Sequence, residues 1–167
     1  MTWSIVARDE ATGHLGIGVS TCAFAVGARV PFIATGIGAV ATQAFVNPFY
    51  GYRGLDLLKL GVSAEDTIRL LTGSDAGRGQ RQVHVMDRMG GIAAFTGDDC
   101  VPWCGHIVEQ TFSVAGNMLA GAGVALVFGI GRRISSIGAA ILLLSMYLAV
   151  APWSKYVDEG GSTVASN

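Results

Sequence analysis

Charge is scarce in this 167-residue chain: charged residues make up 14% of it, where a soluble domain usually has about 25%. Lys plus Arg total 11 and Asp plus Glu 12, leaving a net charge of -1. There is no basic stripe to meet a phosphate backbone, so no nucleic-acid partner is expected. Cysteine is rarer still, at three residues. Cys22, Cys100 and Cys104 are an odd number without framework spacing, which excludes a disulfide scaffold and suits a reducing, cytoplasmic setting. Cys100, Cys104 and His106 offer three metal ligands, one short of the closed four-ligand sites of structural zinc. No metal and no cofactor are therefore expected. Cys22 reads as a small buried hydrophobe. No signal peptide is expected at the start of the chain.

What the chain has in plenty is glycine, 24 in all, and apolar residues, 51%, with mean hydropathy +0.49. That mixture fits a buried sheet with tight turns, a membrane segment, or both. Thr2 to Arg8 alternates as a half-buried strand does. Asp9–His14 reads as a turn and Leu15–Ser20 as the returning strand, a hairpin that brings Ser20 near Thr2. Ala28–Thr35 and Ala39–Ala44 read as extended, and Asn47–Tyr52 as an aromatic loop. Arg53–Leu60 reads as a helix, and Ser63 with Asp66 caps a second helix running to about Leu71. A second hairpin joins Gln80–Arg88 to Ile92–Thr96, with His84 inside it as a structural residue, and Phe112–Leu119 is one more strand. Strands in runs with helices between them favour an α+β layered domain.

Thr2 carries the chemistry. It follows Met1, and a small second residue is the setting in which initiator methionine is removed. Removal leaves Thr2 with a hydroxyl and a free α-amino group. A hydroxyl is a weak nucleophile until a base sits beside it, and the chain's own amine can be that base. The ordinary pKa of that amine is about 8, so a useful fraction is neutral at cellular pH. The plain alternative is a first strand in which Thr2 only favours extended backbone.

Seven motifs then occur in a familiar order: Thr2–Asp9, Gly38-Ala-Val-Ala-Thr-Gln-Ala44, Tyr50-Gly-Tyr-Arg-Gly-Leu55, Gly79-Gln-Arg-Gln-Val83, Ala94-Phe-Thr-Gly97, Pro102-Trp-Cys-Gly-His106 and Gly116-Asn-Met-Leu119. Together they resemble the bacterial DUF1028 family, placed in the N-terminal nucleophile (Ntn) hydrolase-like superfamily, over residues 1–121. The resemblance implies an αββα sandwich with Thr2 at the open end of its sheets. It implies an amidohydrolase cleaving a C–N bond of a small-molecule or peptide amide, with room for a homo-oligomer. Gln43, Asn47, Gly116 and Asn117 are then candidates to hold the oxyanion, Ser20 to orient the amine, and Arg29 to lower the amine's pKa. Tyr50, with Phe49 and Tyr52, is a candidate substrate contact. A catalytically silent Ntn-like binding or assembly domain is the alternative.

The resemblance stops near residue 121, which leaves the sandwich incomplete. Residues 122–153 are an apolar helical region, and Ile134–Trp153 gives 20 uncharged residues, about the length that spans a bilayer. Arg132 and Arg133 would keep its N-terminal side cytoplasmic, which makes this an expected inner-membrane anchor. Val124–Trp153 faintly resembles a DoxX-like membrane protein, so a fusion of two unrelated pieces competes with a tethered variant. Residues 154–167 are a polar tail expected to be disordered.

Overall fold

The structure, a computed structural model, describes residues 1–119. The apolar helical region expected at 122–153, the anchor at 134–153 and the tail at 154–167 lie outside the described residues. Within them the chain runs β1 (Thr2–Arg8), β2 (Leu15–Thr21), β3 (Pro31–Ala34), β4 (Gly38–Ala44), α1 (Pro48–Lys59), α2 (Ala64–Gly73), β5 (Arg81–Asp87), β6 (Ile92–Thr96), β7 (Gly105–Val108) and β8 (Phe112–Asn117). Two four-stranded antiparallel sheets result, ordered β2-β1-β8-β7 and β3-β4-β5-β6.

The first hairpin forms because Asp9 closes its turn. Its Oδ1 accepts the backbone N–H groups of Ala11 and Thr12 at 2.8 and 3.0 Å. Gly13, at φ 72°, supplies the left-handed step that a side chain would resist. The resulting register sets Arg8 opposite Leu15 and Thr2 opposite Thr21. The central strand β1 also pairs with β8, placing Thr2 opposite Asn117.

Helix α1 begins earlier than its sequence suggests, and the aromatic loop expected at Asn47–Tyr52 is its opening turn. Pro48 takes the first helical position, where its missing N–H costs nothing. Asn47 caps it by accepting the Phe49 N–H at 3.2 Å. The Ser63 cap of α2 is in place, accepting the Asp66 N–H at 3.1 Å. Both helices lie on the β3–β6 sheet, where Tyr50, Leu58, Ile68 and Leu71 pack over Val40, Val83 and Val85. Gly51 and Gly54 make this close approach possible. A Cβ on Gly51 would enter the Phe32 ring, and one on Gly54 would lie 3.0 Å from Val40 Cγ2.

The other face of that sheet meets the β1–β8 sheet. One end of the interface is apolar, with Val6, Ala39, Ala41 and Met86. The other end is polar: Ser4, Gln43, Gln82, His84, Ser113 and Asn117 are each at most 3% exposed. The outer face of the β1–β8 sheet carries a third cluster, in which Trp3, Ile5 and Phe112 pack on Val114 and Leu119. The described residues therefore make three layers, helices on a sheet on a sheet, of the four that were expected. Among the described residues no helix is long and apolar enough to cross a membrane. Two local expectations change. Cys22 is exposed, since it follows the end of β2 in an open turn, and Gly105–Val108 is a strand where only a metal motif had been considered.

Candidate functional site

One end of the two sheets gathers most of the chemically interesting residues. The start of β1, the ends of β2, β4 and β8, and the starts of β5 and β7 all meet there. Thr2 opens β1, and its Oγ1 lies 2.9 Å from Thr21 Oγ1. Thr21 donates its only hydroxyl proton to the Met1 carbonyl at 3.1 Å. Thr2 is therefore the donor in the hydroxyl pair.

Thr2 lines a cavity of about 60 Å³ with Thr21, Arg29, Gln43, Ala44 and Val46. A second cavity, of about 300 Å³, is lined by Ala44, Phe45, Gln80, Cys100, Asn117 and Met118 among others. The two share Ala44, and Asn117 pairs across the sheet with Thr2, so the cavities flank the start of β1. Among the described residues four non-glycine positions adopt left-handed backbone: Ala25, Ala44, Trp103 and Met118. All four belong to this end. Ala44 and Met118 line the larger cavity, Ala25 follows Phe24 of the smaller one, and the Trp103 carbonyl accepts from Leu119 N–H. Strain of this kind, of order 1–3 kcal/mol each, collects where the surrounding structure enforces a functional shape.

The candidates separate cleanly. Thr2, Arg29 and Gln43 share one cavity wall, and Asn117 stands beside them. Ser20 does not join them: it sits opposite Trp3, and alternation along β2 turns it to the other face. Thr21 holds the position assigned to Ser20. Tyr50 and Asn47 are turned toward Asp75 instead, with Tyr50 Oη donating to Asp75 Oδ2 at 2.9 Å and Asn47 Nδ2 at 3.5 Å. Gly116 contributes its carbonyl, which accepts from Gln82 Nε2 at 2.8 Å. A Cβ on Gly116 would meet Leu119 Cδ1 at 2.7 Å.

Behind the site lies the buried polar layer, whose members no local pattern connects. Ser4 Oγ donates to Gln43 Oε1 at 2.6 Å and lies 2.8 Å from His84 Nε2. His84 Nδ1 lies 2.9 Å from Ser113 Oγ, and Gln43 Nε2 donates to Gln82 Oε1 at 3.0 Å. Burial, helped by the nearby His106, pushes the His84 pKa down to about 3, so its imidazole is neutral. Burial likewise lowers His106. It raises the Cys100 thiol, with Cys104 adding to the effect. Cys100 thus lines its cavity as a neutral thiol rather than a ready nucleophile. Among the described residues no three His, Cys, Asp or Glu side chains converge as a metal site. Cys104 spends its thiol on the Cys100 carbonyl at 3.7 Å, and His106 Nδ1 lies 2.8 Å from Thr96 Oγ1.

Comparison with known proteins agrees with the motif order. The model of DUF1028, a family of unknown function, matches residues 2–128. The fold is similar to the crystal structure of a DUF1028 protein from Silicibacter pomeroyi, with 30% identity and a TM-score of 0.77. That match covers 89% of this chain and 66% of the relative, so this chain spans just under two thirds of that protein's length. No curated protein matches the chain. With the family model covering most of its length and a solved member sharing its fold, the chain belongs to the DUF1028 family.

Proposed function

We propose that this chain is an Ntn-type amidohydrolase in which Thr2, freed by removal of Met1, is the nucleophile. The observation that carries the reading is the position of Thr2. It opens the central strand at the strained end, with Thr21 Oγ1 at 2.9 Å and with Arg29 and Gln43 on the same cavity wall. In the reaction, Thr2 Oγ attacks the amide carbonyl while the terminal amine accepts the hydroxyl proton. Collapse of the tetrahedral intermediate breaks the C–N bond, and the amine returns that proton to the leaving nitrogen. The acyl group, now an ester on Thr2, is released by water activated in the same way. Thr21 orients the nucleophile through the hydroxyl contact, from the position beside Thr2 where Ser20 had been expected to orient the amine. Arg29 contributes positive charge, which favours the neutral form of the amine. Gln43 and Asn117 stand as oxyanion donors, while Asn47 is turned to Asp75.

The test is direct. Intact-mass measurement is expected to show Met1 absent, and p-nitrophenyl acetate is expected to leave an acetyl group on Thr2. Thr2→Ala should abolish both acetylation and turnover. Retained Met1 on an active protein would refute the assignment, because the free amine then sits one residue away.

A second reading has one observation behind it. The cavity that holds Thr2 encloses only about 60 Å³, well below the ~300 Å³ at which small-molecule sites begin. It describes a catalytically silent Ntn-like binding or assembly domain, tethered through residues 134–153. Such a protein would never acetylate Thr2 but would still distribute with membranes.

A further inference from the structure

The buried layer between the sheets has only one consistent direction of hydrogen bonding, and Gln82 sets it. Gln82 Nε2 lies 2.8 Å from the Gly116 carbonyl and 3.1 Å from the Gly105 carbonyl. Backbone carbonyls only accept, so the amide nitrogen of Gln82 must face them. Thr96 Oγ1 is a third neighbour of that nitrogen at 3.1 Å. Gln82 Oε1 is thereby turned to the opposite side. There it accepts from Gln43 Nε2 at 3.0 Å and from Asn117 Nδ2 at 2.9 Å, which fills both lone pairs.

The consequence travels outward from Gln82. Gln43 has its oxygen left for Ser4, so Ser4 must donate its single proton at 2.6 Å. Ser4 then has only lone pairs for His84, whose Nε2 at 2.8 Å must be the protonated nitrogen. His84 Nδ1 is bare and accepts from Ser113 Oγ at 2.9 Å. Reversing any bond from Gln82 to His84 Nε2 sets donor against donor or oxygen against oxygen, and the last is fixed because the buried imidazole is neutral. Among the described residues, Gln43 and Asn117 each keep one amide N–H without a hydrogen-bond partner. Gln43 borders the cavity that holds Thr2, and Asn117 borders the larger cavity on its other side.

We propose that Gln82 is a positioning residue. Held by the Gly105 and Gly116 carbonyls, it locks the Gln43 and Asn117 amides so that each offers a spare N–H beside Thr2. The catalytic meaning rests on the amidohydrolase reading; the direction of the hydrogen bonds does not.

Nitrogen-15 NMR of the histidine rings in the full chain tests the direction. His84 is expected as the Nε2–H tautomer in the wild type. Ser113→Ala, which leaves Gln82 in place, should keep that tautomer. Gln82→Met, which removes the anchor, should let the Nδ1–H form appear as Gln43 becomes free to turn. In the same variant, turnover of p-nitrophenyl acetate should show kcat lower by about 10–100-fold, with KM within about threefold, the signature of donors lost from the transition state. An Nδ1–H tautomer in the wild type would overturn the inference while leaving Thr2 untouched. So would a folded Gln82→Met with unchanged tautomer and kcat. Absence of turnover by a wild type that carries the Nε2–H tautomer would instead sink the amidohydrolase reading, and with it the catalytic role of Gln82. If Gln82→Met does not fold, the wild-type and Ser113→Ala tautomers still decide the direction.

Discussion

Replacing Asp75 by Asn asks whether Asn47 and Tyr50 serve the fold or a substrate. Asp75 Oδ2 accepts from Tyr50 Oη at 2.9 Å and from Arg81 Nε at 3.0 Å, and Oδ1 accepts the Gly77 N–H at 2.8 Å. Partial burial alone would raise the carboxyl's pKa. The Gly77 amide, the Arg81 guanidinium and the Tyr50 hydroxyl outweigh it and hold the pKa down to about 2, from 3.8. Because the folded value lies below the unfolded one, the carboxylate contributes stability that is complete above about pH 4 and fades as pH falls toward 2. At about 1.36 kcal/mol per pH unit the upper bound is ~2.5 kcal/mol. The side chain is 17% exposed, so screening reduces this to roughly 1–1.5 kcal/mol. Asp75→Asn should therefore lower Tm by about 3–8 °C at pH 7. The gap between variant and wild type should narrow in urea melts at pH 3. A pH-independent gap would refute the electrostatic account. Unchanged stability with an altered KM for p-nitrophenyl acetate would return Asn47 and Tyr50 to the substrate.

Three further outcomes are expected. His84 stays neutral in the fold down to about pH 3, whereas the unfolded chain takes up its proton below about 6.5. Acid should therefore destabilise the wild type by up to ~1.4 kcal/mol per pH unit across that window, and in pH-dependent melts a folded His84→Gln should lose this slope. Gly51→Ala should cost about 1–3 kcal/mol in urea melts, because overpacking against Phe32 outweighs the ~1 kcal/mol helix-propensity gain; an unchanged midpoint would contradict the close-packing role. Full-length chain should sediment with membranes and a chain lacking residues 122–167 should not; equal distribution of the two would remove the tether.

Local chemistry was legible in the sequence to a considerable depth. Alternation gave β1, β5 and β6, the Ser63–Asp66 pair gave the start of α2, and the motif order gave the family. Pro48 hid the start of α1 because proline reads equally as a loop residue and as a first helical position. Ser20 was expected beside Thr2 and Thr21 takes that place, because parity along a returning strand depends on the register, which the turn length decides. The polar layer was illegible for a deeper reason. Alternating patterns conventionally put polar residues outside, yet Ser4, Gln82, His84 and Ser113 are the inward set. Their side chains satisfy one another across two sheets, with partners from 29 to 80 residues apart, beyond the reach of any local pattern.

The same layer also acts as an insulator. A hydroxyl or an imidazole can pass a proton along, but a carboxamide cannot at ordinary pH, and two carboxamides, Gln43 and Gln82, lie in its path. Protons exchanged at His84 and Ser113 therefore stop at Gln43, one side chain short of Thr2. The histidine fixes geometry without relaying protons toward Thr2. The acid limb of any activity at Thr2 should then follow the terminal amine alone.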